Sequence, residues 1–225
     1  MPLFVPQSSG WNPGAPALAS GGSTDDKLWL VVAVVAVAIL PVVLYSFDAP
    51  APRLVLQRFA CPTFGFEYQG GVETSRSDLG NVSHAVNTGR LEFGYRHFAV
   101  DLRFDSSRGA VDSFATHVIL RALPRSHVEG GLAVGYRRSV FRDLRQEGFE
   151  LGLPHRYTFW REDLRSFGLE LRPSLFFSAG RVEPSLEAAV LIPIFDVLHL
   201  RAGGRAFTFN GSVFWGLQAG LSLTL

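Results

Sequence analysis

Carboxylates and arginines recur at alternate positions along the last 160 residues or so: Glu92, Asp101 with Arg103, Arg121, Glu129, Arg137, Glu170 with Arg172, Glu183, Glu187, and Arg201 with Arg205. Paired carboxylates can act as general acid and base, and a ring of them can line a pore. Mixed with arginines in near balance, they suit a third use. The planar guanidinium takes a carboxylate bidentately, so an enclosed set of both signs satisfies itself. The set expected to form such a network is Glu92, Asp101, Arg103, Arg121, Glu170, Arg172, Glu187 and Arg201. The histidines, His84, His97, His117, His127, His155 and His199, show no metal-ligand spacing. Gly-x-Ser-x-Gly and His-Glu-x-x-His are both absent, so no nucleophile elbow or zinc-hydrolase helix is encoded. His117 and His199 share a face with Arg121 and Arg201 and read as satisfied by polar neighbours. Cys61 is the single cysteine, which excludes an intramolecular disulfide and a thiolate metal cluster. The expectation is no catalytic residue, no metal and no cofactor.

The elements that must position these charges are strands, because successive side chains of a strand face opposite ways. The clearest is the last. Val213, Trp215, Leu217, Ala219, Leu221, Leu223 and Leu225 form one apolar face, and Phe214, Gly216, Gln218, Gly220, Ser222 and Thr224 the other. Similar alternation runs through Phe64–Tyr68, Leu91–Tyr95, Phe98–Phe104, Val118–Ala122, Leu132–Tyr136, Leu151–Phe159, Phe167–Leu175, Leu186–Ile192 and Leu198–Ala206. The apolar positions switch from odd to even at Arg96-His97, which requires a turn or bulge there. Asn210-Gly211 predicts a two-residue hairpin, since a type I′ turn needs positive φ at both positions. Pro154 and His155 weaken the strand that contains them. The count is eight or ten strands, with ten preferred, and an even number returns the chain to its starting side. Thr74–Asn87, Asp105–Ser113 and Phe141–Gly148 are expected as loops.

An apolar outer wall around a charged interior inverts the usual soluble arrangement. The scarcity of lysine, with Lys27 alone, agrees with an outer face that is not solvated by Lys and Glu. A formal net charge of +1 and the absence of any nucleic-acid motif argue against nucleic acid as a partner. Residues 1–26, rich in Gly, Pro, Ser and Ala, read as a disordered tail. Residues 27–48 contain the uncharged run Leu28–Tyr45, long enough as a helix, about 27 Å, to enter a bilayer as signal or anchor. Residues 49–62 are a Pro-containing linker, and 63–225 are the barrel. The stretch from Ser46 to Pro62 reaches at most roughly 60 Å, too short to tie a helix in one membrane to a barrel in another. Removal of the helix is therefore preferred over retention.

Gln218, Gly220, Leu223 and Leu225 resemble the polar-x-Gly-x-x-hydrophobic-x-hydrophobic carboxyl-terminal signal of bacterial outer-membrane β-barrels, with Leu225 in place of the usual terminal aromatic. The resemblance implies an antiparallel up-and-down membrane barrel in the bacterial outer membrane, with the lipid bilayer and the barrel assembly machinery as partners. In an eight- to ten-strand barrel side chains largely fill the interior, so the expected role is structural or surface-interactive, with loops as the place for any ligand. Two alternatives are an outer-membrane barrel enzyme hydrolysing lipid or peptide at its rim, and a periplasmic lipocalin-like lipid binder anchored in the inner membrane, its aliphatic face lining a cavity.

Overall fold

The computed structural model describes residues 60–77, 80–107, 111–122, 127–141, 144–162 and 165–225, with Val32 and Ala36 as isolated helical positions. Side chains are described only in part at strand ends, 76–81 and 160–166 being left out. The tail, the apolar run and nearly all of the linker expected at 1–26, 27–48 and 49–62 lie outside the described residues. Eleven strands follow in order: β1 Pro62–Ser77, β2 Gly80–Tyr95, β3 Phe98–Ser107, β4 Asp112–Arg121, β5 Val128–Phe141, β6 Leu144–Gly152, β7 His155–Glu162, β8 Arg165–Ser178, β9 Arg181–Pro193, β10 Leu198–Phe209 and β11 Ser212–Thr224. All neighbours pair antiparallel, and β11 pairs with β1, so the sheet closes. Closure leaves no strand edge unpaired.

The eleven strands make ten staves, because β6 and β7 are one strand interrupted at Leu153-Pro154. Ala133 pairs with Gly152 and Val128 with Tyr157 in the same register, and the register against β8 is equally continuous from Phe149↔Phe177 to His155↔Leu171. Pro154 lacks an N–H but its carbonyl still accepts from the Gly131 amide at 3.0 Å, and the Leu153 amide donates to the Pro173 carbonyl at 2.9 Å. A proline can thus sit in a wall at the cost of one ladder bond. The β2–β3 connection is a two-residue turn at Arg96-His97 with Arg96 at φ 51°, which accounts for the switch of apolar parity. Asn210 (φ 48°) and Gly211 (φ 83°) form the expected hairpin.

The loops expected at Thr74–Asn87, Asp105–Ser113 and Phe141–Gly148 are largely strand. β1 runs to Ser77 and β2 starts at Gly80, β3 runs to Ser107 and β4 starts at Asp112, and β6 starts at Leu144. These ends stand above the apolar zone, so both faces are polar and the period-two signal disappears while the ladder continues.

Following paired residues around the wall, Thr63 leads through Gly94, Ala99, Ile119, Ala133, Gly152, Ser174, Ser185, Phe207 and Phe214 back to β1 at Ser75, twelve positions further on. With ten staves, 3.3 Å per residue and 4.8 Å between strands, that stagger implies a tilt of about 40° and a backbone radius of about 10 Å. Gly220 is required at the closing seam, where a Cβ would fall on the carbonyl oxygen of Tyr68 in β1.

Candidate functional site

The closed wall sorts residues into two environments. Tyr68, Val72, Leu217, Leu221 and Trp215 face outward and are exposed, whereas Glu67, Gln69, Glu73, Arg201, Arg205 and Gln218 face inward and are buried. Among the described residues the aliphatic face points away from the lumen, the reverse of the lipocalin-like arrangement, in which it would line a cavity. The outer apolar zone is bounded by aromatic residues. Phe66, Phe93, Tyr95 and Phe98 stand toward the end that carries the Arg96-His97 turn and Leu225, here the lower end, and Phe114, Tyr136, Phe149, Phe177 and Trp215 stand toward the other. From Leu223 to Trp215 on β11 the zone covers eight residue steps, about 20 Å of height at this tilt. A hydrocarbon layer between two aromatic girdles is the environment such a face suits.

Inside, the charges stack in layers. Nearest the lower end, the Arg121 guanidinium lies over Gly94, where any Cβ would strike it, and pairs with Glu92 while donating to Thr63 Oγ1 at 2.9 Å. Arg156 pairs with Glu170 at 2.7 Å. At mid-height Arg172 reaches across the lumen from β8 to grip Glu67 of β1 bidentately, at 2.7 and 2.9 Å, and contacts Glu170 at 2.9 Å. Arg201, 1 % exposed, donates from Nε to Glu170 (3.1 Å), from Nη2 to Glu187 (2.6 Å) and from Nη1 to Gln69 (2.5 Å). Arg90 pairs with Asp101 and with Glu92 at 3.1 Å. His117 bridges Asp101 and Glu150, at 3.2 and 3.3 Å, and Ser174 donates to Glu150 at 2.6 Å. This histidine is buried and tied at both nitrogens, a brace between β3, β4 and β6.

Above this, Arg103 joins Glu187 at 2.9 Å and Asp105 at 3.3 Å, and Arg205 joins Asp105 at 2.9 Å. Thr88 and Ser113 complete Asp105, donating at 2.9 and 2.6 Å. The upper end is then sealed by apolar groups. Phe207 and Phe214 stack with centroids 5.0 Å apart, Phe141 meets Phe209 and Phe214 edge-on, and Val111 belongs to the same buried cluster. Arg205 lies 4.2 Å from the Phe207 centroid and Arg137 5.0 Å from that of Phe176, so cation–π contacts join seal to lattice.

The eight residues singled out from sequence all face the lumen and all pair there. Alternation alone did not single out Glu67, Glu73, Arg90, Asp105, Glu150 and Arg156, which complete the layers, or the aromatic seal. The signal for the seal was present in Phe207, Phe209 and Phe214 appearing on polar-face positions beside the Asn210-Gly211 turn. At the lower end a cavity of about 510 Å³ remains, walled by Glu67, Glu92, Arg121, Arg156, Ile119 and His199 and reached past Cys61 and Leu225. Among the described residues, no group of three His, Cys, Asp or Glu is placed to hold a metal ion.

No family model and no curated protein matches the chain. Among solved structures it is similar to Neisserial surface protein A (11 % identity over 71 % of this chain and 96 % of that one, TM-score 0.39). It is likewise similar to the KdgM porin in complex with disordered oligogalacturonate (11 %, 72 % and 98 %, TM-score 0.37) and to the outer membrane protease OmpT from Escherichia coli (11 %, 73 % and 96 %, TM-score 0.38).

Proposed function

We propose that this chain is a small, non-conducting transmembrane barrel of the bacterial outer membrane whose role is structural, with a lumen filled by its own ion pairs. The observation that carries this reading is the buried apolar cluster of Val111, Phe141, Phe207, Phe209 and Phe214 at the upper end of the lumen, with Arg205 of the Arg205–Asp105 pair against the Phe207 ring. A pore needs a continuous aqueous path, and wide lumens belong to barrels of more strands. The outer aliphatic zone between aromatic girdles supports insertion in a bilayer. Connections at the upper end are tight where the strands define them, two residues at 142–143, 179–180 and 210–211, which favours a rigid wall element over an adhesin displaying long loops. Gln218, Gly220 and Leu223 lie on the closing strand and Leu225 directly follows it, bonded to Phe64, where a carboxyl-terminal assembly signal would be read as β11 is paired with β1.

The test is reconstitution of the full chain into planar bilayers and liposomes. Wild-type protein leaves the conductance at baseline and does not accelerate swelling of sugar-loaded liposomes. Regular open-channel steps from the wild type refute a filled lumen.

A further inference from the structure

One sector of the outer wall is not exposed. Val128, Tyr157 and Leu171 point outward by register yet are 3 %, 7 % and 8 % exposed, and with Leu169 and Ala188 they form an apolar cluster. Pro173 and Pro184, also outward-facing on β8 and β9, are buried as well. Equivalent outward positions on the opposite side behave differently, Val72 at 53 % and Leu217 at 70 %. Tyr157 Oη and both ring nitrogens of His155 are buried in the same sector without a hydrogen-bond partner. The members of the stripe all lie on the wall strands β5, β7, β8 and β9.

We propose that this stripe is the docking surface for an apolar helix supplied by the chain itself, the uncharged run Leu28–Tyr45. The dimensions agree. From Val128 to Pro184 the stripe climbs roughly 25 Å of wall at the tilt given above, and eighteen helical residues extend about 27 Å. The chemistry agrees too: the run carries no charged side chain, and the stripe it would meet is built from Val128, Tyr157, Leu171, Ala188 and the flat rings of Pro173 and Pro184. The tether imposes the same answer. Residues 46–62 reach at most roughly 60 Å, so a retained helix must lie in the barrel's own membrane, and the tether, ending at Pro62 on β1, is long enough to pass round the wall to β8, four staves away. The inference rests on the membrane-barrel reading and adds retention of the helix as a further element, packed outside the wall.

The experiment uses the full chain carrying Cys61→Ser, with Leu171→Cys or Leu217→Cys combined in turn with a single cysteine at each position from Val32 to Leu40. Membranes are treated with copper-phenanthroline and read on gels, alongside the mass of the mature chain. A disulfide requires Cα atoms within about 7 Å. The expected result is monomeric cross-linking to position 171 that recurs every three to four residues, none to position 217, and a mature mass that includes residues 28–45. A mature chain lacking these residues, equal cross-linking to both positions, no cross-link anywhere, or a dimer band that identifies a second copy as the occupant each overturns the proposal. Quenching of a bimane label at Leu217→Cys by brominated lipid separates the two readings. If position 217 is not quenched, the membrane-barrel reading fails; if it is quenched and position 171 is quenched equally, the docking proposal alone fails.

Discussion

Arg201→Met tests whether the lumen holds the barrel together. Arg201 is 1 % exposed and makes three donor contacts, to Glu170, Glu187 and Gln69. Methionine keeps most of the volume and removes the charge, which leaves the two carboxylates short of one counter-ion each. Glu170 retains Arg172 and Arg156, and Glu187 retains Arg103 and Arg172, so the damage is shared. Removing one partner of a buried ion pair costs about 3–5 kcal/mol, and the surviving partners place this variant at the lower end, about 3 kcal/mol. Glu187→Gln in the same chain removes one of the stranded charges. The double variant is therefore expected to lose about 1–2 kcal/mol less than the sum of the single losses, as coupled neighbours do. The assay is reversible urea unfolding in lipid vesicles, followed by tryptophan emission, with all four members of the cycle. A loss below about 1 kcal/mol for Arg201→Met, or strict additivity with Glu187→Gln, refutes a lumen stabilised by connected pairs.

Truncating the seal with Phe207→Ala and Phe214→Ala removes a stacked pair from the buried cluster and is expected to cost about 3–5 kcal/mol for each ring; conductance recorded in parallel stays low, because the arginine layers beneath still fill the lumen. Gly220→Val places a branched side chain against the β1 backbone and is expected to prevent closure, read as loss of heat-modifiable migration on gels, while Ala219→Val on the outer face leaves migration unchanged. Replacing Gly211, at φ 83°, by alanine is expected to cost about 1–2 kcal/mol and to slow refolding of the β10–β11 hairpin, measured by stopped-flow.

Alternation along each strand determined which face of every element is apolar, where the chain turns at Arg96-His97 and Asn210-Gly211, and that a balanced set of acids and arginines shares one side. Those are local properties, because a strand's side-chain period depends only on its own backbone. Height and partnership are not local. Thr74–Ser77 and Gly80–Asn87 read as loop because polar residues on both faces erase the period, although the ladder continues through them. Arg172 and Glu67 are 105 residues apart and meet only because ten staves with a stagger of twelve bring β8 opposite β1. The same stagger gathers Val111, just before β4, with Phe141, Phe207 and Phe214 of β5, β10 and β11 at one level, and only the closed wall reveals that an outward stripe of Val128, Tyr157, Leu171, Pro173 and Pro184 is buried where every local signal predicts exposure.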